Sequence, residues 1–212
     1  MKKVNYSYIG ISFIILLFGI WSVPKIVAYF GKSNDLVYVA NKSVPAFSFT
    51  NQNGETVTND SYAGKVYVAE FFFTTCPSIC PIMNRNMVKV QNEFYGNPNL
   101  GIASFTIDPA YDTPEVLNDY AESYQITNPN WHLLTGDKED IYKLANEGFN
   151  LYVAEAPNVD GGFEHSGFFA LIDQEGKIRS RLDENGNPII YYDGLEAEGI
   201  QMLIEDIKKL LN

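Results

Sequence analysis

The feature that most constrains this chain is Lys65-Val66-Tyr67-Val68-Ala69-Glu70-Phe71-Phe72-Phe73, followed at once by Thr74-Thr75-Cys76-Pro77-Ser78-Ile79-Cys80. A near-continuous run of β-branched and aromatic residues does not alternate. It therefore reads as a strand buried on both faces, the environment of a parallel sheet covered by helices. The residues after it read as a helix start: Thr75 or Cys76 opens the turn, Pro77 suits the first helical positions, and the helix extends to about Phe94.

The rest of the chain supplies what such a strand needs. Asn51-Gln52-Asn53-Gly54 is a hairpin turn between two short alternating segments. Residues 101–107 form a second apolar strand and residues 131–134 a short third one. Asp112-Thr113-Pro114-Glu115 begins a helix with a capping side chain, a proline just inside and an acid facing the positive end of the dipole, and it runs to about Tyr124. Residues 137–149 are helical, residues 168–173 and 177–181 pair around Gln174-Glu175-Gly176, and residues 195–211 close the chain as an amphipathic helix. This order predicts an α/β fold, a mixed sheet flanked by helices with an N-terminal β-hairpin extension.

A length of 212 residues suits one domain plus a terminal extension. After Met1-Lys2-Lys3, residues 6–23 carry no charge and, as a helix, reach about 27 Å, near the hydrocarbon thickness of a bilayer. Tyr6, Tyr8 and Trp21 lie near the ends of the run, where interfacial aromatics are expected. We expect residues 1–30 to be a membrane anchor with one transmembrane helix, 31–43 a linker, and 44–212 the folded domain on the extracytoplasmic side. A net charge of −11 leaves no basic footprint for a phosphate backbone, so nucleic acid is not an expected partner.

Cys76 and Cys80 are the only cysteines. A loop this short gains little from a crosslink, so their purpose is chemical. On a helix, a spacing of four puts both sulfurs on one face, and a helix N-terminus favours thiolate, which soft-metal binding and disulfide exchange both need. Two thiolates alone can hold Cu(I), whereas Cu(II) prefers an added imidazole. Of the two histidines, His132 sits inside a strand and reads as structural. His165 lies in Gly161-Gly162-Phe163-Glu164-His165-Ser166-Gly167, and the residues alone leave it open between ligand and loop residue. Met83 and Met87 follow the cysteines at helical spacing and read as the buried face of the helix.

Four segments together resemble the SCO/SenC family of copper-binding assembly factors: Phe72-Phe73-Thr74-Thr75-Cys76-Pro77-Ser78-Ile79-Cys80-Pro81, Ile107-Asp108-Pro109 with Asp112-Thr113-Pro114-Glu115-Val116-Leu117, Leu134-Thr135-Gly136, and Glu164-His165-Ser166 before Leu171-Ile172-Asp173. The resemblance covers roughly residues 44–211. It implies a thioredoxin-like fold tethered by one N-terminal helix and copper ligation by Cys76, Cys80 and His165. It further implies that the copper passes to the copper-receiving subunit of cytochrome c oxidase, after capture from an upstream copper donor. Thr75, Ser78 and Glu164 depart from the family's usual residues but leave the three ligands intact.

Two further functions compete with the copper carrier. In a thiol-disulfide reductase, Cys76 attacks, Cys80 resolves and the pair closes into a redox-active disulfide. In a peroxide-scavenging enzyme, one low-pKa cysteine needs a nearby arginine, and Arg85 is the nearest.

Overall fold

The computed structural model describes residues 7–30, 36–156, 158 and 161–212. The chain divides into two units, Met1–Asp35 and Leu36–Asn212. In the first, α1 (Ser7–Phe30) is a 24-residue helix. Side-chain surroundings are described over residues 10–23, where Ile14, Ile15, Phe18 and Ile20 are all exposed. Among the described residues, no helix is long and apolar enough to cross a membrane. The spanning segment expected within residues 1–30 is therefore not found among them.

The second unit is built on a mixed nine-stranded sheet ordered β1-β10-β9-β4-β5-β6-β2-β3, with β11 paired to β9. The strands are β1 (Val37–Ser43), β2 (Ser48–Asn51), β3 (Thr56–Thr58), β4 (Val66–Phe72), β5 (Leu100–Thr106), β6 (Trp131–Thr135), β9 (Phe168–Ile172), β10 (Lys177–Ser180) and β11 (Tyr192–Asp193). β4, β5 and β6 run parallel and the other pairings are antiparallel. All seven residues of β4 and of β5 are buried, as their unbroken apolar sequences require.

Two apolar layers cover the sheet. Val66, Val68, Leu100 and Ile102 pack with Met83, Met87 and Val90 of α2 (Cys80–Glu93) and with Leu203 and Ile207 of α5 (Ala197–Leu211). On the other face, Tyr67, Ala69, Phe71 and Phe105 pack with Leu117 of α3 (Pro114–Ser123), Ile141 of α4 (Lys138–Lys143), Phe47, Phe49 and Phe149. α4 widens into a π-turn over Leu144–Gly148. A separate two-stranded sheet pairs β7 (Val153–Glu155) with β8 (Phe163–His165).

Two local expectations are corrected, and three short strands are added. α2 begins at Cys80, not at Thr75 or Cys76, and Pro81 rather than Pro77 occupies its first turn. The cause is a tight turn in which the Cys76 N–H donates to Phe73 O, so the chain reverses before any helical ladder forms. Residues 37–43, read as linker, form β1 because β10 offers them an edge to pair with. β7, β8 and β11 are strands of two or three residues whose pairing, not their composition, makes them strands.

Candidate metal centre

The site lies where β4 ends. After Phe72 the chain turns through residues 73–79, and this turn is fixed from the side by Asp112. The Thr74 N–H donates to Asp112 Oδ2 at 3.1 Å, and the hydroxyls of Thr74 and Thr106 also donate to that carboxylate. Asp112 is fully buried. Burial pushes its pKa up, against the lowering effect of these hydrogen bonds. Sequence reasoning missed this role because Asp112 and Thr113 both read as helix caps. Thr113 takes the cap, accepting from the Val116 N–H, and leaves Asp112 free to hold the turn.

Cys76 and Cys80 are brought together by this turn rather than by sharing a helical face. The Cys80 N–H, at the first position of α2, donates to Cys76 Sγ at 3.4 Å. Cys80 Sγ lies 3.0 Å from His165 Nε2, and Ser78 Oγ lies 3.8 Å from Cys76 Sγ. Cys80 is fully buried, Cys76 is 7% exposed and His165 is half-buried. His165 Nδ1 lies 3.2 Å from Ser166 O. That contact suits an Nδ1–H donor and leaves the Nε2 lone pair facing the sulfurs, an assignment from the hydrogen-bond network. The Phe73 ring meets His165 edge-on at 5.7 Å and Phe163 at 5.1 Å. Gly161, at φ +92°, passes so close that a Cβ there would lie 3.0 Å from both Phe73 and Pro77.

The sulfurs titrate as a pair. Cys76 is held well below the ordinary thiol range, first by the hydrogen bond from Cys80, then against burial by His165 and the Cys80 and Ser78 backbone. Cys80 is pushed up, because the proton stays with it beside the Cys76 thiolate and because it is buried. Of the two sulfurs, Cys76 is therefore the one that ionises more readily, and Cys80 is the one that keeps its proton.

The sequence-predicted residues sort cleanly in space. Cys76, Cys80 and His165 converge, with all ligand atoms within 4.8 Å of one another. Two donors on opposite sides of one ion stand at most about 4.6 Å apart, so gathering these three around a common ion needs movements of no more than about an ångström. Two thiolates and an imidazole form a soft donor set that suits copper, and three donors leave the tetrahedral shell of zinc incomplete. His132 is elsewhere. Its Nδ1 lies 3.3 Å from Asn51 Nδ2, it meets Tyr62 edge-on, and burial lowers its pKa. Met83 and Met87 are fully buried in the layer beneath α2. Arg85 is exposed on α2 and is not among the groups that lower Cys76.

The chain is similar to known proteins over most of its length. The SCO1/SenC family profile matches residues 38–198. A SCO1 protein homolog of Bacillus subtilis is 32% identical over 170 residues, 79% of this chain and 82% of that protein. The crystal structure of a SCO1/SenC family lipoprotein from Bacillus anthracis superposes with a TM-score of 0.72 at 32% identity, covering 84% of this chain and 99% of the other. Yeast Sco1 with copper bound superposes with a TM-score of 0.59 at 28% identity, covering 79% and 89%.

Proposed function

The chain belongs to the SCO1/SenC family, and from that premise we propose that it is a membrane-tethered copper carrier that loads the copper centre of cytochrome c oxidase during assembly. The observation that carries the reading is the convergence of Cys76, Cys80 and His165, with Cys80 Sγ and His165 Nε2 at 3.0 Å. Copper is cargo here. The Cys76 thiolate is the first donor. Cys80 gives up its proton to become the second, and His165 Nε2, fixed by its Nδ1 contact to Ser166 O, is the third. Yeast Sco1, a structural relative, was solved with copper bound.

Adding Cu(II) to the reduced protein tests the reading. A thiolate-to-copper charge-transfer band is expected, absent in Cys76→Ala and Cys80→Ala. His165→Ala is expected to lose Cu(II) binding while keeping some Cu(I) binding, and an unchanged Cu(II) affinity in that variant removes His165 from the site.

A second reading rests on the same sulfurs. A thiolate at the rim backed by a buried thiol is also the arrangement of a thiol-disulfide reductase, with Cys76 attacking and Cys80 resolving. It keeps the oxidase subunit's own cysteines reduced. His165→Ala stays active if the protein works only in this way.

We further propose that residues 1–30 anchor the chain as a single-pass segment with the folded unit on the extracytoplasmic side, where copper is received from an upstream donor. The uncharged run over residues 6–23 and the exposed apolar side chains of α1 support an anchor. Partition of the full chain into membranes after alkaline carbonate extraction, and release of the folded unit by protease added outside the cell, test both parts.

A further inference from the structure

Among the described residues, the strand that carries His165 pairs with β7 alone, and Val153 of β7 is the cross-strand partner of the histidine. On its other edge β7 meets a side chain where a third strand would lie. The Val153 N–H donates to Asn146 Oδ1 at 3.1 Å, and Asn146 Nδ2 donates to Val153 O at 3.1 Å. The N–H and C=O of a strand residue leave on the same side, so both backbone groups of Val153 face Asn146 and neither faces β8. The Ala156 N–H bond to Gly162 O sets the same alternation along the ladder. Val153 and His165 are thus a non-hydrogen-bonded pair, the kind whose Cα atoms stand closer, about 4.5 Å apart.

Asn146 is itself firmly placed. Nδ2 also donates to Tyr142 O at 3.0 Å, and only one orientation of the amide serves two carbonyls and one N–H. The residue lies in the π-turn that follows α4, where Ala145 and Phe149 are fully buried in the layer that covers the main sheet. The Tyr142 hydroxyl donates to Ile107 O, just past the end of β5, at 3.0 Å. The other side-chain tie between β7 and α4 is the Lys138–Glu155 ion pair, whose two side chains are exposed, and such pairs contribute little. Phe73 touches the histidine ring, whereas Asn146 holds the backbone on which the histidine stands.

We propose that Asn146 is a positioning residue for the metal centre: by pairing with Val153 it fixes the strand that carries His165, and so sets how well the centre holds Cu(II) relative to Cu(I). The proposal rests on the carrier reading and deepens it. A ligand set works when its members are held within about 0.5 Å of the productive geometry. Both sulfurs are placed without Asn146, by the turn after β4 and the start of α2. Losing the amide therefore displaces the imidazole and leaves the thiolates. Cu(I) is content with two thiolates and Cu(II) is not, so the two oxidation states weaken unequally.

The test uses the full chain, reduced and in detergent. It reads the ratio of Cu(II) to Cu(I) affinity and, in the copper-free protein, the Cε1–H magnetic resonance of His165. Asn146→Ala is expected to lower the ratio about tenfold. It is also expected to shift or broaden the His165 resonance while that of His132 stays in place. Asn146→Asp keeps the shape but turns an oxygen onto Val153 O and Tyr142 O, so it is expected to behave like Asn146→Ala, and it is read in its place should the alanine variant not fold. Gln91→Ala is the matched control. Its amide also holds three backbone groups, those of Gln125, Thr127 and Asn128, about 16 Å along α2 from Cys80. It is expected to lose stability in urea and to keep the parent's ratio and His165 resonance. Asn146 variants with the parent's ratio or an unmoved His165 resonance, or Gln91→Ala lowering the ratio as far, overturn the proposal. A parent whose Cu(II) affinity is unchanged in His165→Ala sinks the carrier reading instead, and the copper-free resonance then decides the positioning role by itself.

Discussion

The Cys80 N–H points at the Cys76 sulfur from 3.4 Å, so the first residue of α2 directs the positive end of that helix onto the cysteine that precedes it. The two sulfurs are thus unequal before any ion or substrate arrives.

That inequality is measurable by alkylation. Since Cys76 is held well below the ordinary thiol range, chiefly by Cys80, its rate with iodoacetamide is expected to be nearly flat from pH 6 upward. In Cys80→Ala the main stabilising hydrogen bond is gone. The rate is then expected to titrate with a midpoint nearer the ordinary value of about 8.5, slowing the reaction at pH 6 by about tenfold or more. A flat profile in Cys80→Ala shows that the helix terminus and His165 suffice.

Asp112→Ala removes the acceptor for two donors of Thr74, in the turn before Cys76, and for the Thr106 hydroxyl at the end of β5. We expect it to cost about 2–4 kcal/mol in urea unfolding, because the Thr74 N–H and two hydroxyls lose a buried charged partner. Cu(II) affinity is expected to fall with it. A loss of stability without any change at the sulfurs separates Asp112 from the site.

Glu70 is buried in β4, takes one hydrogen bond from Ser104 at 2.6 Å, and leaves its second oxygen without a partner. Burial raises its pKa from 4.5 to about 7. A folded-state pKa above the unfolded one favours the protonated form. Its contribution to stability is therefore complete below pH 4.5 and is lost as pH rises through about 7, a swing of about 3 kcal/mol. Glu70→Gln is expected to flatten this dependence and to be the more stable protein at pH 8. Parallel pH profiles for the two proteins place the sensitivity elsewhere.

His132 has the opposite sign. Burial lowers its pKa, so the fold favours the neutral ring, and its contribution to stability is lost as pH falls below about 6.5. His132→Gln is expected to remove that acid-side loss at a cost of about 1 kcal/mol at neutral pH, from the weakened pairing with Asn51. Chemical unfolding from pH 5 to 8 reads both effects.

The sheet was legible because β4, β5, β9 and β10 carry their burial in their own sequences. The Cys76 and Cys80 chemistry was legible too, but its geometry was not. Either Pro77 or Pro81 can open a helix, and only the Cys76 N–H bond to Phe73 O decides for Pro81. His165 sits on a strand of three residues made by its pairing with Val153. No periodicity marks so short an element, and the residues alone left the histidine open. Asp112 was hidden for the same kind of reason, since its donors Thr74 and Thr106 are brought to it only by the parallel pairing of β4 and β5.

The two halves of the site rest on different foundations. The sulfurs stand on the turn after β4 and on the start of α2, while the imidazole stands on the two-stranded β7–β8 ladder, which meets the Phe73 ring through Phe163 and His165 and is tied to Asn146 through both backbone groups of Val153. The ladder is a sheet of its own, held to the rest of the folded unit by side chains rather than by strand pairing. An ion gripped by all three residues acts as a clasp between the ladder and the main sheet. Grip and release then become one adjustable quantity, set by how firmly Phe73 and Asn146 hold the ladder in place.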